Sequence, residues 1–172
     1  MAKFIVGLLL GIVIVPAGAS FYFHSGRAPV ATSAPSMPFE KRLARAALHA
    51  RLKKEMPKGT PIPADEINLA AGARVYLRHC AFCHGLPDLP ATSAAQGMFP
   101  DPPQLLGKDD VTDDPVGEPF WIVTNGIRLT GMPGYSTTLT ETERWQVSQL
   151  LVHAHDLPAA ATAELKPVPA GP

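Results

Sequence analysis

The chain has 172 residues, a formal net charge of zero and 46% hydrophobic residues. This length holds one ordinary domain with extensions at its ends. The chain has only two cysteines, which excludes a small fold held together by several disulfides.

The net charge of zero hides a separation of charge along the chain. Residues 24–60 carry eight Lys/Arg against two Asp/Glu, whereas residues 61–158 carry five against twelve. Such an asymmetry concerns partners and orientation rather than the fold. Because an apolar segment precedes the basic part, we expect a membrane nearby and no nucleic-acid partner.

The first element in chain order is this apolar segment, residues 4–23, which follows Lys3. A run of this length is enough to cross the hydrocarbon layer as a helix. A signal sequence cleaved after Ala17-Gly18-Ala19 is the alternative. We predict that residues 1–24 are a retained single-pass anchor, because the apolar run continues past that cleavage site. Both interpretations place the rest of the chain outside the cytoplasm, in a bacterial periplasm.

Residues 25–63 are predicted to be a linker that contains a basic amphipathic helix at residues 39–56. The Pro, Ala and Ser residues of 28–38 are typical of an extended segment. One face of the helix is apolar, with the members Phe39, Leu43, Ala46, Ala47 and Ala50. We expect this helix to pack on the following domain, with its cations against that domain's acids. A helix lying on an anionic membrane surface is the alternative.

Residues 64–158 show only helix and loop patterns. Asp65 can cap a helix that begins at Glu66, and Thr140-Glu141-Thr142-Glu143 has the pattern of a capping box. Between them, a short helix is predicted to start at Asp113-Asp114-Pro115 and to stop at Asn125-Gly126. The Ala/Pro-rich tail, residues 159–172, is predicted to be disordered.

The string Cys80-Ala81-Phe82-Cys83-His84 carries the chemistry. C-x-x-C-H is the attachment signal of c-type haem: the two thiols add across the porphyrin vinyl groups, and the histidine then faces the iron. A redox pair belongs beside a βαβ pattern, a zinc site needs more soft ligands than two cysteines offer, and a disulfide is the remaining alternative. We therefore predict one covalently attached haem, whose iron is bound by His84. The haem would also supply the apolar centre that a few short helices lack.

With this motif, residues 65 to about 158 resemble class I cytochromes c. Members of that family cross their first and last helices at a glycine, with an aromatic residue four positions on. Gly72 and Tyr76, eight and four residues before Cys80, match this pattern. The resemblance implies an all-α cytochrome c fold, with three to four short helices around one covalent haem. In this chain a transmembrane helix and the basic helix would precede that domain.

A second axial ligand is expected from a methionine. Met98 and Met132 are the two methionines after His84, at distances of 14 and 48 residues. Gly131-Met132-Pro133-Gly134 has glycines that let the backbone approach the porphyrin, and it resembles the distal loop of bacterial members of the family. The resemblance therefore implies Met132 as the iron ligand, with Met98 as the alternative. Histidine is the other option, with His153 and His155 near the end of the last helix, where they are better interpreted as solvated residues.

The remaining site residues follow from the resemblance alone. In the family a proline carbonyl accepts the ring N–H of the proximal histidine, which implies Pro103, with Pro102 as the alternative. Leu105, Trp121 and Tyr135 are expected to line the pocket, and Trp121 or Tyr135 is expected to donate to a haem propionate.

Histidine and methionine ligands fill both axial positions, which predicts electron transfer without a catalytic side chain or a small-molecule substrate. We expect a membrane-tethered monohaem carrier, not an enzyme, that passes electrons between redox partner proteins of the respiratory chain in the membrane or periplasm. A fixed haem subunit of an oxidase or dehydrogenase is the first alternative. A haem peroxidase or gas sensor with a displaceable methionine is the second.

Overall fold

The computed structural model describes residues 1–87, 89, 91–107 and 111–166. These described residues form helices and loops and no β-strand, apart from one isolated bridge between Leu86 and Leu89. The all-α prediction is confirmed. The helices, in chain order, are α1 (Ala2–His24), α2 (Glu40–Glu55), α3 (Glu66–His79), α4 (Ala81–His84), α5 (Ser93–Gln96), α6 (Gly117–Asn125), α7 (Glu141–Val152) and α8 (Ala159–Glu164). The chain divides into two compact units, Met1–Leu43 and Ala44–Pro172.

Helix α1 is apolar along its whole length. Among the helices described, it alone is long and apolar enough to cross a membrane, a criterion that a signal sequence near the N-terminus also meets. The chain thus has an N-terminal helix consistent with a single-pass anchor. Retention of this helix in the mature protein stays a prediction.

Helix α2 forms where a basic helix was predicted, but it buries a different face. Leu52 is 2% exposed, and Leu48 and Met56, one turn away on either side, are half-buried. Phe39 and Leu43, members of the predicted apolar face, are 70% and 68% exposed. The predicted face consists mainly of alanines, whereas the 48–52–56 stripe offers two leucines and a methionine and so more apolar area.

Helices α3 and α7 make the central contact of the second unit. The backbone N–H of Asn68 donates to the Asp65 side chain at 2.9 Å, and the predicted capping box at Thr140 and Glu143 is present, so both helices begin where the sequence indicates. Gly72 lies directly against the backbone of Gln146, where a Cβ atom would have no room. The predicted crossing at Gly72 is confirmed.

The tail prediction is wrong for residues 159–166. Residues 159–164 form α8, in which Ala161 is fully buried, and Leu165 directly after it is 5% exposed. Helix α8 packs on α3, and Arg74 contacts Glu164 at 2.8 Å. Composition indicated disorder because alanine and proline provide little apolar area, but the small alanines allow close packing on a neighbouring helix. Residues 167–172 lie outside the described residues.

Candidate haem site

A cavity of about 250 Å³ lies between α4, the segment 98–105, α6 and the loop after α6. Its lining is mostly apolar. Seven predicted site residues line it: Cys80, Cys83, His84, Pro103, Leu105, Met132 and Tyr135. Residues far apart in the sequence therefore meet around one space.

Trp121 is the predicted site residue that does not line the cavity. Pro119, Ile122 and Val123 form the cavity face of α6, and each residue of a helix turns by about 100° relative to the last. Trp121 consequently lies on another face, where its indole N–H donates to the Glu55 carboxylate at 3.3 Å. Trp121 as a pocket residue therefore does not agree with this position, because the face on which it lies depends on where α6 begins. Its role as a propionate donor stays a prediction.

The two cysteines lie on one short helical turn. The backbone N–H groups of Cys83 and His84 both donate to the Cys80 carbonyl, at 3.0 and 2.9 Å, so residues three apart share a face. Burial, together with the neighbouring Cys83, raises the pKa of the Cys80 thiol to about 12. A dithiol redox pair needs a thiol with a lowered pKa, so this environment disfavours that alternative.

His84 is buried and held in one ring orientation. Its Nδ1 lies 2.7 Å from the carbonyl oxygen of Pro103. A carbonyl oxygen only accepts, so Nδ1 carries the proton and Nε2 keeps a free lone pair. Burial lowers the pKa of His84, partly offset by the Pro103 hydrogen bond, which favours the neutral ring. A neutral imidazole with one free nitrogen is the form that binds a metal.

Residues 126–135, here called the distal loop, hold Met132 by its backbone. The Met132 N–H donates to the Thr130 hydroxyl at 3.1 Å, and the Met132 carbonyl accepts from the Ile127 N–H at 3.1 Å. The Tyr135 N–H donates to the Val123 carbonyl at 2.8 Å, which ties the end of the loop to α6. The backbone position of Met132 is therefore set by the loop's own hydrogen bonds.

Two glycines close the distal loop. A Cβ atom on Gly126 would lie 2.6 Å from the Gly134 nitrogen, and one on Gly134 would lie 2.8 Å from the carbonyl carbon of Asn125. Gly126 also has a φ of +69°, which L side chains rarely adopt. Backbone packs on backbone here, so the loop requires glycine at both positions.

Comparison with known protein families agrees with this geometry. Residues 67–151 match the family model described as cytochrome c oxidase, cbb3-type, subunit III. This part of the chain is a class I cytochrome c domain. No curated protein and no solved structure matches the chain. The cytochrome c domain carries covalently bound haem c and serves haem-based electron transfer.

The residues of the cytochrome c domain fit this group. Two thiols share one face of a helical turn, an imidazole offers a free nitrogen, and thioethers and apolar side chains complete the cavity wall. These are the donor types that c-type haem uses. Cys80 and Cys83 would hold the porphyrin covalently, and His84 would bind the iron.

Tyr135 lines the cavity but has a different partner from the one expected. Its hydroxyl donates to the backbone carbonyl of His79 at 2.9 Å. The Tyr135 ring and the His79 imidazole meet edge to face, with their centroids 5.9 Å apart. Burial raises the pKa of Tyr135, which keeps the hydroxyl protonated as a donor. The Tyr135 hydroxyl was expected to donate to a haem propionate, but in the structure its hydrogen bond to His79 links the distal loop to the end of α3.

Met98, the alternative ligand that the sequence offered, also lines the cavity of the cytochrome c domain. Its Sδ lies 2.8 Å from where a Cβ of Gly131 would stand, next to Met132. Three acids, Asp101, Asp114 and Glu118, also line the cavity and were missed. Burial and Asp114 raise the pKa of Glu118, while His49 lowers it. Helix phase around Pro119 could have indicated Glu118, whereas the sequence indicated Met98 only as the alternative ligand and not as a neighbour of Gly131.

Proposed function

We propose that this chain is a membrane-tethered monohaem cytochrome c that transfers single electrons between respiratory components on the periplasmic side. Cys80 and Cys83 would form the thioether bonds, and His84 and Met132 would bind the iron. The haem supplies a reversible one-electron Fe(II)/Fe(III) couple when bound.

The backbone clamp on Met132 is the observation that carries this proposal. Two hydrogen bonds fix its peptide groups, and the loop's glycine pair has no room for side chains. Across the same cavity, His84 keeps Nε2 free because Pro103 occupies Nδ1. With His84 and Met132 as ligands, the iron would have no open coordination position for oxygen or peroxide, which supports electron transfer rather than catalysis.

The tether and the charge pattern support a role at a membrane. Helix α1 has the length and composition of a span, and the acidic segment 61–158 would be drawn toward partners with basic docking patches. An anchor raises the effective concentration of the domain at such partners. We expect the rate of electron transfer to a basic partner to fall as ionic strength rises.

A fixed subunit of an oxidase complex is the second candidate. The matched family is named for a subunit of cbb3-type oxidase, which favours membrane redox partners of that kind. Purification in mild detergent separates the two candidates. Stoichiometric co-purification with an oxidase supports the subunit, whereas isolation of the cytochrome alone supports the carrier.

Replacement of each methionine tests the ligand assignment. We expect Met132→Ala to abolish the Met–iron charge-transfer band in the near infrared, because a methyl side chain cannot bind iron. Met98→Ala should keep the band. Loss of the band in Met98→Ala, with the band retained in Met132→Ala, contradicts the assignment.

The intact mass of the membrane-extracted protein counts the haems and shows whether residues 1–24 are retained.

A further inference from the structure

Met98 is joined to the haem-attachment motif by a series of backbone and side-chain contacts. The Thr92 hydroxyl donates to the carbonyl of Phe82, which lies between the two cysteines, at 3.1 Å. The same hydroxyl accepts from the Ala95 N–H at 3.3 Å and so caps α5. Ala95 is fully buried, and its carbonyl accepts from the Met98 N–H at 3.0 Å. The backbone of Met98 is thus fixed relative to the motif.

The side chain of Met98 reaches the distal loop from this fixed base. Its Sδ would be 2.8 Å from a Cβ on Gly131, with its Cε and Cγ at 3.7 and 3.8 Å from that point. Apart from Gly131 and its two chain neighbours, the three atoms nearest to that position all belong to Met98. Gly131 immediately precedes Met132, so the thioether touches the loop beside the proposed ligand.

We propose that Met98 is a positioning residue that holds the distal loop closed and limits the displacement of Met132 from the iron. This inference rests on the proposed function, since it takes Met132 as the ligand. On this assignment an external ligand can bind the iron only after Met132 leaves, and outward movement of the loop that carries Met132 makes that departure easier. Contact of Met98 with Gly131 opposes that movement by linking the loop to the motif on the other side of the cavity.

A methionine suits this contact for two reasons. Its unbranched side chain and polarisable sulfur adapt to an irregular surface. Gly131 has no Cβ, and the Met98 thioether occupies space that a Cβ at this position would need. Leucine has a similar volume and should preserve most of the contact, whereas alanine removes it.

Imidazole binding to the oxidised full-length protein in detergent tests the proposal. In Met98→Ala we expect the Met–iron band to remain and imidazole to displace Met132 about ten-fold more readily, equivalent to ~1.4 kcal/mol. Met98→Leu should stay within about two-fold of the unaltered protein, because similar volume preserves packing. Met56→Ala is the matched control, since Met56 is a half-buried methionine that does not line the cavity; it should leave imidazole binding unchanged.

Gly131→Ala provides an independent variant. The added Cβ would clash with Met98 Sδ and push the two apart, so we expect easier displacement of Met132 by imidazole. In the Met98→Ala background the clash disappears, and the second substitution should add little, a non-additivity typical of residues in contact.

The outcomes separate the two proposals. Imidazole binding unchanged in Met98→Ala, with the band intact, overturns the positioning role and leaves the ligand assignment standing. Full additivity of the two substitutions also overturns it. Loss of the band in Met98→Ala, with the band retained in Met132→Ala, overturns the ligand assignment itself and the positioning role with it.

Discussion

Leu129 occupies an unusual backbone conformation at the tip of the distal loop. Its φ is +63° and its side chain is 93% exposed, so no packing compensates for the left-handed conformation. The hydrogen bonds from the Thr130 N–H and hydroxyl to the Ile127 carbonyl, at 3.3 and 2.7 Å, enforce this turn. The loop that carries Met132 thus stores conformational strain at an exposed residue.

We expect Leu129→Asn to raise the free energy of unfolding by about 1 kcal/mol, because asparagine tolerates the left-handed conformation better than leucine does. Urea unfolding of the haem-loaded protein measures this change. Leu129→Ala is the matched control, since it removes the side chain but keeps the Cβ that causes the strain. An equal gain in both variants would show that the exposed leucine, not the backbone, is unfavourable.

Among the individual site residues, those in local sequence motifs could be predicted from the sequence. The cysteine spacing and the following histidine define the proximal side, and the proline that lies against the His84 ring stands where the resemblance implied. Trp121 could not be excluded from sequence, because its face depends on where α6 begins. The sequence offered Met98 only as an alternative ligand, because its approach to Gly131 depends on a long loop without periodicity.

Among elements, the crossing of α3 and α7 organises the second unit. Tyr76 and Leu150 are fully buried at this crossing, and the Tyr76 hydroxyl donates to the Gly85 carbonyl at 2.9 Å. The hydrogen bond links the crossing to the residue that follows His84. Packing between two helices therefore also positions the haem motif.

Gly72→Ala should lower the free energy of unfolding by roughly 1–3 kcal/mol, the usual cost of overpacking a core. The added Cβ would meet the backbone carbonyl of Gln146, which cannot rotate away as a side chain can. Thermal or urea unfolding measures the loss. Gly59→Ala is the control, because a Cβ at Gly59 meets nothing within 4 Å. Comparable losses in the two variants would contradict the role of close helix approach.

Helix starts were easier to predict than helix faces. Asp65 and Thr140 lie at helix starts because their side chains accept backbone N–H groups, a purely local interaction. The buried face of α2 depends on what packs against it, and the predicted apolar face did not contain Leu52 for this reason. Only tertiary contact could decide that question.

For the whole molecule, the compact unit extends beyond the family match, which ends at residue 151. Helix α8 packs on α3 and Leu165 belongs to the hydrophobic core, so residues after 158 contribute to the core of the second unit. Composition could not predict this, because an Ala/Pro-rich tail gains stability only from the surface it covers.

Leu165→Ala should therefore lower the free energy of unfolding by about 2–3 kcal/mol, since Leu165 is 5% exposed and its loss leaves a cavity. Glu164→Gln is the control: the Arg74–Glu164 pair is exposed at the surface and worth at most about 1 kcal/mol. Urea unfolding of both variants of the full chain provides the comparison. A Leu165→Ala variant as stable as the unaltered protein would show that the end of the chain is dispensable.

The hydrogen bonds of the distal loop have one further consequence, for the rate of electron transfer. Ile127, Thr130 and Met132 satisfy one another through backbone and hydroxyl groups, none of which is a thioether sulfur. With Met132 as the proposed ligand, a change in iron charge should leave these bonds intact, and we expect the ligand to keep its place in both oxidation states. A preorganised environment of this kind keeps the nuclear reorganisation energy small. Separation from the partner's redox centre, rather than motion of the ligands, would then limit how fast an electron leaves or arrives.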